Sequence, residues 1–238
     1  MAAKLWAVVP AAGAGRRFGV ETPKQYLPLL DKTVFEHSLG VLFGIAELAK
    51  IVVALSADDA YFDSLVIANS DRLLKVNGGA ERADSVLAGL QGLNGLAADD
   101  DWVLVHDAAR PCVSAEEMNR LLALRDGSNG IGGLLALPVV DTLKRVDDHY
   151  KVVNTVDRNA LWRALTPQLF RFAELKQALE YCLARGLPVT DEASAIEQFG
   201  KQAKVVLGNA RNIKITYPQD LALAAHFLSL QQAEESAL

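Results

Sequence analysis

LWAVVPAAGAGRRFGVETPKQ, residues 5–25, is the stretch around which the rest of this 238-residue chain is arranged. Residues 5–9 form an apolar run that is long enough for a buried strand. Where a strand ends in small residues, backbone N–H groups can approach a ligand closely. Arg16, Arg17 and Lys24 follow, and these cations favour a polyphosphate ligand. The small-residue loop consists of Pro10, Ala11, Ala12, Gly13, Ala14 and Gly15.

Two well-known phosphate-binding loops do not match this stretch. The P-loop requires Gly-Lys-Ser/Thr, which does not follow here at the right spacing. The dinucleotide-binding fingerprint requires a third small residue where this chain has Phe18. A phosphate site of another kind is therefore favoured, and a tight strand-to-helix connection that binds nothing is the alternative interpretation.

The composition is that of an ordinary globular protein, 51% hydrophobic and 22% charged. We expect a single domain over residues 1–238. A net charge of −5 provides no general basic surface, so neither nucleic acid nor membrane is an expected partner. Two cysteines do not make a disulfide framework, and we find neither a signal-peptide pattern nor an apolar run of ~20 residues. A cytoplasmic protein is the expectation.

Apolar runs alternate with helical patterns along most of the chain, which predicts an α/β fold with a mostly parallel sheet and helices on both faces. Ligands of such sheets lie beyond the carboxyl ends of the strands. After residues 5–9, the predicted strands are 51–55, 73–76, 102–105, 132–139, 204–207 and 212–216. The predicted helices are 34–43, 56–68, 82–93, 114–124, 174–183, one that begins at 190–192, and 218–228, followed by a frayed tail.

Residues 139–162 depart from this alternation, because they are polar and interrupted by a predicted turn around Asp147 and Asp148. We predict an extended β-arm that projects from the domain. Since an isolated hairpin is only marginally stable, we expect this arm to join two copies of the chain in a homodimer. A surface hairpin folded back on its own domain is the alternative.

A second small-residue loop, GGAERADSV at residues 78–86, leads into a helix. Its backbone groups and the Ser85 hydroxyl could bind the edge of a flat base. A plain glycine turn, with Glu81 and Arg82 in solvent, is an equally weighted alternative.

VHDAARP, residues 105–111, follows a predicted buried strand. Asp107 is well placed there to hold Mg²⁺, which usually takes one or two carboxylates together with substrate phosphates. Arg110 suits a phosphate group. His106 is interpreted as a packed, hydrogen-bonded side chain rather than a ligand.

Two further cations stand in unusual positions. Arg158 lies at the return of the β-arm, where it could bind an anion or pair with its neighbour Asp157. Lys214 is central in NIKIT, residues 212–216, a predicted strand that is otherwise apolar at alternate positions. A lysine inside a sheet needs a counter-charge, and the alternative is an edge strand that points Lys214 to solvent.

Taken together, these stretches resemble the 2-C-methyl-D-erythritol 4-phosphate cytidylyltransferase family, from about residue 6 to residue 223. The resemblance implies a Rossmann-like nucleotidyltransferase fold, a homodimer joined by the β-arm, and a role in the non-mevalonate isoprenoid pathway. CTP and methylerythritol phosphate would be the substrates, with Mg²⁺ as the metal. The stretches that carry the resemblance are VVPAAGAGRRFG, PKQY, GGAERADSV, VHDAARPCV, DTLKR, TVDRNALW, ALTPQLF, TDEASAIE and NIKIT.

The resemblance also implies roles for individual residues. Arg17 and Lys24 would stabilise the transition state, Arg158 and Lys214 would position the methylerythritol phosphate, and Asp107 would take the metal. Some members carry Asp where this chain has Ala80. The difference is harmless if that position acts through its backbone carbonyl, and it would weaken base selectivity if the position acts through a carboxylate. The implied nucleotide site comprises Pro10, Ala11, Ala12, Gly13, Ala14, Gly15, Gly79, Ala80, Ser85 and Ala108. The residues around the second substrate would be Arg110, Thr142, Thr166 and Thr190, with Arg158 and Lys214.

The expected reaction is attack of the substrate's phosphate oxygen on the α-phosphorus of CTP. A phosphate monoester is already ionised at neutral pH, so positioning and positive charge are required rather than a general base. Two alternatives remain: a ribitol-5-phosphate cytidylyltransferase, and a catalytically silent nucleotide-binding protein.

Overall fold

A computed structural model describes residues 3–13, 22–127 and 130–236. The predicted site residues Ala14, Gly15 and Arg17 lie outside these ranges. The helices are α1 (Val34–Phe43), α2 (Arg82–Gln91), α3 (Ala115–Leu122), α4 (Phe172–Ala184), α5 (Glu192–Gln198) and α6 (Gln219–Ser236). The strands are β1 (Leu5–Pro10), β2 (Pro28–Leu29), β3 (Lys32–Thr33), β4 (Leu48–Leu55), β5 (Leu73–Asn77), β6 (Trp102–Val105), β7 (Gly132–Pro138), β8 (Leu143–Val146), β9 (Val152–Val156), β10 (Trp162–Arg171) and β11 (Lys204–Leu207).

The main sheet has seven strands in the order β11-β7-β10-β6-β1-β4-β5. Strands β6, β1, β4 and β5 run parallel to one another, and β11 runs parallel to β7. Only β10, which the sequence analysis did not predict, runs antiparallel to its neighbours β6 and β7 within this sheet of described residues. The predicted α/β class with a mostly parallel sheet is confirmed.

Strand β1 shows why its sequence is apolar without alternation. Leu5, Ala7 and Val9 pack on one face of the sheet, in the core that contains α1 and α3. Trp6 and Val8 pack on the other face, against α2, α4 and α5. Because successive side chains of a strand point to opposite faces, a strand covered on both faces must be apolar at every position.

Several helices begin where the sequence predicts. Ser114 caps α3 through a reciprocal capping box with Glu117, as expected from their spacing. Asp191 caps α5, and its side chain accepts a hydrogen bond from the backbone N–H of Ser194. Among the helices of the described ranges, none has both the length and the apolar character needed to cross a membrane.

Three predicted elements are wrong. Instead of the α-helix predicted over residues 56–68, the structure has two short 3₁₀ helices, Phe62–Ser64 and Val66–Asn69. The carboxylate of Asp59 accepts hydrogen bonds from the backbone N–H groups of the two residues that follow Ala60, which favours a turn. Residues 212–216 form no strand, and α6 continues to Ser236 instead of fraying after residue 228.

A two-stranded hairpin, β8–β9, lies within the predicted arm. All residues from 140 to 155 are exposed, and they include large apolar side chains such as Tyr150, which is 89% exposed, Val152 and Val153. Its role in joining two chains stays a prediction.

Close packing of α2 on β1 depends on Gly89, since a Cβ atom there would lie 2.4 Å from Val8 Cγ1. Gly89→Ala should therefore lower the free energy of unfolding by about 1–3 kcal/mol, although alanine is the better helix former. Gly40 in α1 is the matched control, because a Cβ there meets nothing within 4 Å. Gly40→Ala should raise the free energy of unfolding by up to about 1 kcal/mol. Urea denaturation followed by circular dichroism measures both, and equal effects would contradict the packing argument.

Candidate active site

A cleft of about 310 Å³ lies beyond the carboxyl ends of the parallel strands. A larger cavity, about 670 Å³, lies between α1, α3 and α6, but the described residues that line it include none of the predicted site residues. The chemistry-bearing side chains therefore identify the smaller cleft as the candidate site. The predicted residues that line it are Pro10, Ala11, Ala12, Gly13, Lys24, Gly79, Ala80, Ser85, Asp107, Ala108 and Lys214.

The two small-residue loops touch each other at the cleft. A Cβ atom at Gly78 would lie 2.6 Å from Ala12 Cβ, so this approach requires glycine. Ser85 is buried, and its hydroxyl accepts a hydrogen bond from Gly79 N–H at 3.1 Å and donates to the Glu81 carbonyl at 3.2 Å. The hydroxyl predicted to bind the base thus also holds the second loop in shape.

The segment that carries Lys24 is fixed to the first loop and to the C-terminal part of the chain. Gln25 is buried, and its side-chain amide donates to the Ala11 carbonyl at 3.0 Å. Lys24 Nζ donates to the Ile215 carbonyl at 2.6 Å. These bonds place the Lys24 ammonium group beside the residues around Lys214, on the same wall of the cleft.

Asp107 is the charged centre of the cleft. Arg82 Nε donates to Oδ1 at 2.9 Å, and Lys214 Nζ lies 2.8 Å from Oδ2. Arg110 Nε lies 3.6 Å from the same Oδ2 atom. Burial by itself would raise the pKa of Asp107, but the charges of Arg82, Lys214 and Arg110 outweigh burial and hold the pKa well below its ordinary value. Asp107 is therefore a carboxylate at any physiological pH.

Arg82 is paired with carboxylates rather than free in solvent, so that part of the alternative interpretation is wrong, whereas Glu81 is exposed as that interpretation expected. The Nη1 and Nη2 atoms of Arg82 donate to the two carboxylate oxygens of Glu192, at 2.6 and 3.1 Å. Burial raises the pKa of Glu192, and the pair with Arg82 offsets part of that rise. The sequence analysis missed Glu192, because an acidic residue in the first turn of a helix is expected from the helix dipole alone.

Lys214 reaches the cleft because its segment is held by side chains and by a backbone bond from Ile215 N–H to the Ala109 carbonyl, instead of by a strand ladder. The Asn212 carbonyl accepts a bond from Arg110 Nη1 at 2.8 Å, and Asn212 Nδ2 donates to the Thr166 carbonyl at 3.0 Å. The buried Glu117 accepts from Asn212 Nδ2 at 3.4 Å. Lys214 consequently has Asp107 as its counter-charge, as the sequence interpretation required of a lysine inside the fold.

His106 is fully buried under the cleft and is neutral. Its Nε2 atom lies 3.0 Å from the Arg110 carbonyl, which can only accept, so Nε2 carries the proton. Its Nδ1 atom then accepts from the Thr166 hydroxyl at 3.1 Å, and that hydroxyl accepts from Asp107 N–H at 3.0 Å. The interpretation of His106 as a packed, hydrogen-bonded side chain is confirmed.

The remaining predicted residues that the structure describes do not line the cleft. Arg110 and Thr166 are buried beneath it. Thr142 and Arg158 lie exposed on either side of the hairpin strands, where Arg158 donates to the Val140 carbonyl. Thr190 is exposed before α5. Among the ranges that the structure describes, no group of three or more His, Cys, Asp or Glu side chains could hold a metal ion by itself.

A mostly parallel α/β sheet with two small-residue loops and paired cations at one cleft defines a nucleotidyltransferase. The chain belongs to the IspD family, 2-C-methyl-D-erythritol 4-phosphate cytidylyltransferase, whose family model matches residues 5–230.

Relatives with this name cover nearly the whole chain. The protein of Ectopseudomonas mendocina (strain ymp) is 50% identical over 223 residues, 93% of this chain and 94% of the relative. The protein of Shewanella amazonensis is 51% identical over 226 residues, 95% of this chain and 94% of the relative.

Solved structures agree with the fold. A 4-diphosphocytidyl-2C-methyl-D-erythritol synthase is 39% identical with a TM-score of 0.82, over 96% of this chain and all of that one. The Francisella tularensis 2-C-methyl-D-erythritol 4-phosphate cytidylyltransferase is 36% identical with a TM-score of 0.84, over 94% of this chain and all of that one.

The buried His106 should make stability depend on pH. Burial lowers its pKa to about 4, whereas an unfolded histidine titrates near 6.5. As the pH falls through this window, the unfolded chain takes up the proton first, so the free energy of unfolding should fall by about 2 kcal/mol between about pH 7 and about pH 5. Urea denaturation at both pH values measures the change.

The variant His106→Gln should lose most of this dependence, because glutamine can still donate to the Arg110 carbonyl but does not titrate. The exposed His149 on the hairpin is the control, and His149→Gln should keep the dependence. An unchanged pH dependence in His106→Gln would contradict the assignment.

Proposed function

We propose that this protein transfers the cytidylyl group of CTP to 2-C-methyl-D-erythritol 4-phosphate, in isoprenoid precursor biosynthesis. The products are 4-diphosphocytidyl-2-C-methyl-D-erythritol and pyrophosphate. The observation that carries the proposal is the cleft lined by Lys24, Lys214, Arg82 and Asp107, in which Arg82 and Lys214 pair with Asp107, in a chain that belongs to this family. Similar relatives with about half of their residues identical bear the name of this activity.

In the reaction, a phosphate oxygen of the acceptor bonds to the α-phosphorus of CTP. The bond from that phosphorus to the oxygen bridging to the β-phosphate breaks, and pyrophosphate leaves with the electron pair. Lys214 positions the phosphate of the acceptor and adds positive charge, and Lys24 supplies positive charge where negative charge grows. Arg17, predicted from the sequence to share this role, lies outside the described residues. His106, neutral and fully bonded, takes no part as a base.

Mg²⁺ fits this cleft only together with the nucleotide. Three cationic side chains, Arg82, Arg110 and Lys214, lie around Asp107. The two carboxylates of this group, Asp107 and Glu192, leave one excess positive charge. A divalent cation alone would meet repulsion there, whereas the triphosphate brings the negative charge that offsets it. Asp107 would hold the ion, which usually takes one or two carboxylates besides substrate phosphates. When bound, Mg²⁺ stabilises charge on the triphosphate as a Lewis acid.

The base of CTP is assigned to the two small-residue loops. Gly79, Ala80 and Ser85 of the second loop and Ala12 of the first all line the cleft. Ala80 offers polar groups only from its backbone, so we propose that this position contacts the base through its main chain. The nucleotide site also includes Pro10, Ala11, Gly13 and Ala108, and by sequence Ala14 and Gly15.

We propose that the whole chain is one domain and that residues 139–162 join it to a second copy. The hairpin carries exposed apolar side chains, which a dimer would cover. Arg158 and Thr142, assigned to the methylerythritol phosphate, belong to this hairpin and are absent from the lining of their own cleft among the described residues. Both observations support an acceptor site completed across the dimer, together with Arg110, Thr166 and Thr190. A cytoplasmic location is part of the proposal.

Pyrophosphate release with CTP and each of two acceptors tests the function. Release should require methylerythritol phosphate, and ribitol 5-phosphate should not replace it. Lys24→Ala should lower turnover about a hundredfold or more, because it removes charge that stabilises the transition state.

Lys50→Ala is the matched control, since Lys50 lies in β4 and donates to the Asp71 carbonyl, away from the cleft. Its turnover should equal that of the unaltered protein. Faster pyrophosphate release with ribitol 5-phosphate would contradict the proposed acceptor. No pyrophosphate release with either acceptor would favour a catalytically silent protein. Near-normal turnover of Lys24→Ala would remove Lys24 from the mechanism.

Mixing two inactive variants tests the shared site. Lys24→Ala and Arg158→Ala each disable one half of a site, so mixed dimers should contain one site in which both residues are intact. We expect partial recovery of turnover after co-refolding or subunit exchange, up to about a quarter of normal if mixing is statistical. Mass spectrometry of the intact dimers verifies the mixing, and verified mixed dimers without recovery would argue against sharing.

A further inference from the structure

We propose that Glu192 is a positioning residue for the nucleotide site, and that it acts through Arg82 on Asp107. The inference rests on the proposed function in one respect, namely that Asp107 serves the metal–nucleotide complex. It adds a residue that lies outside the cleft and that the sequence analysis did not assign.

The geometry is that of one guanidinium group held by two carboxylates. Nη1 and Nη2 of Arg82 bond to the two oxygens of Glu192, at 2.6 and 3.1 Å. The remaining donor, Nε, bonds to Asp107 Oδ1 at 2.9 Å. Because the guanidinium is planar and rigid, the bidentate pair with Glu192 fixes the direction in which Nε points. Glu192 thereby determines where Oδ1 of Asp107 is held.

Burial separates the roles of these residues. The side chain of Glu192 is 1% exposed, that of Asp107 is 8% exposed, and that of Arg82 is 26% exposed. Arg82 and Asp107 line the cleft, whereas Glu192 does not. A ligand in the cleft can therefore contact Arg82 and Asp107, whereas Glu192 acts on the ligand through its contact with Arg82.

Glu192 is itself firmly anchored. It is the first residue of α5, next to the cap residue Asp191. Gln168 of β10 is buried and bonds to this turn twice, donating to Asp191 Oδ2 at 2.9 Å and accepting from Ala193 N–H at 2.9 Å. The start of α5 is thus attached to the central sheet, which makes Glu192 a stable reference point for Arg82.

The two carboxylate oxygens of Asp107 have different partners, and this difference matters when a ligand binds. Oδ1 is held by Arg82, and Oδ2 bonds to Lys214 at 2.8 Å. When a triphosphate enters, Lys214 can turn from Oδ2 to the phosphate oxygens. Asp107 would then have lost one partner of Oδ2 and could hold the metal ion, while Arg110 remains near Oδ2 and Arg82 keeps the carboxylate from rotating. Without Glu192, Arg82 would lose its fixed direction, and Asp107 would lose its orientation at the moment of binding.

Glu192→Gln tests the inference, because glutamine keeps the size of the side chain but loses its charge and one of its acceptor oxygens. Isothermal titration calorimetry with CTP and Mg²⁺, without the acceptor, should show affinity lowered about 10- to 100-fold, the usual effect of losing a supporting partner of a metal ligand. Glu197→Gln on the exposed side of the same helix is the control and should bind as the unaltered protein does.

A double-mutant cycle with Asp107→Asn separates positioning from a general structural role. If Glu192 acts through Asp107, then Glu192→Gln should change affinity by less than about twofold in the Asp107→Asn background. Effects of the two substitutions that multiply in full would overturn the inference, as would unaltered CTP affinity in Glu192→Gln.

Arg82→Lys keeps the test decisive if Glu192→Gln does not fold, which its thermal unfolding transition reveals. A lysine keeps the charge, but a single ammonium group lacks the rigid fork that bonds to both carboxylates. It should also lower the affinity for CTP with Mg²⁺ about tenfold or more. Normal affinity in Arg82→Lys would overturn the inference. Failure of the unaltered protein to bind CTP would instead sink the proposed function, so the two failures are distinguishable.

Discussion

A single carboxylate, that of Asp107, holds together the charges on which this site depends. Three cations from distant parts of the chain face it, and each would repel the others without it. The buried ion pairs are weak as a source of stability, since burial of charge costs about as much as pairing returns. Their effect is to orient the side chains of Arg82, Arg110 and Lys214 toward one point beside the cleft. A ligand with more negative charge than one carboxylate can then interact with them.

The sheet makes this convergence possible. Parallel strands β1, β4, β5 and β6 end at the same edge, so the loops that follow them meet there. The antiparallel strand β10 brings Thr166 to Asp107 N–H, and through Gln168 it anchors the turn that holds Glu192. Thr166 and Glu192, whose side chains accept hydrogen bonds in the site, are consequently attached to rigid elements. The small-residue loops leave backbone N–H groups close to the space for the ligand.

The neutral state of His106 also limits the positive charge of this region. A protonated imidazole beneath Arg82 and Arg110 would add a further positive charge to a region that already has an excess of one. Burial is the main reason that the pKa of His106 is low, and the charges of Arg110 and Arg82 act in the same direction, while Asp107 and the hydrogen bond to the Arg110 carbonyl act against them. Both ring nitrogens are bonded, one to the Arg110 carbonyl and one to the Thr166 hydroxyl. Transfer to an ionised phosphate needs no base, so a histidine in the site can serve packing alone.

Local pattern in the sequence was sufficient for much of this protein. Apolar runs indicated β1, β4, β6, β7 and β11, spacing indicated the capping box of Ser114, and small residues beside cations indicated the two loops of the cleft. These features depend on neighbours within a few positions, which a sequence displays directly. Tertiary structure alone decided the partner of each charge: Arg82 meets Glu192 across 110 positions. The carbonyls of Asn212 and Ile215 accept hydrogen bonds from the side chains of Arg110 and Lys24 instead of from a neighbouring strand. Such pairs form because folding brings distant segments to one edge of the sheet. The number of residues between two positions in the sequence does not reveal that their side chains will meet.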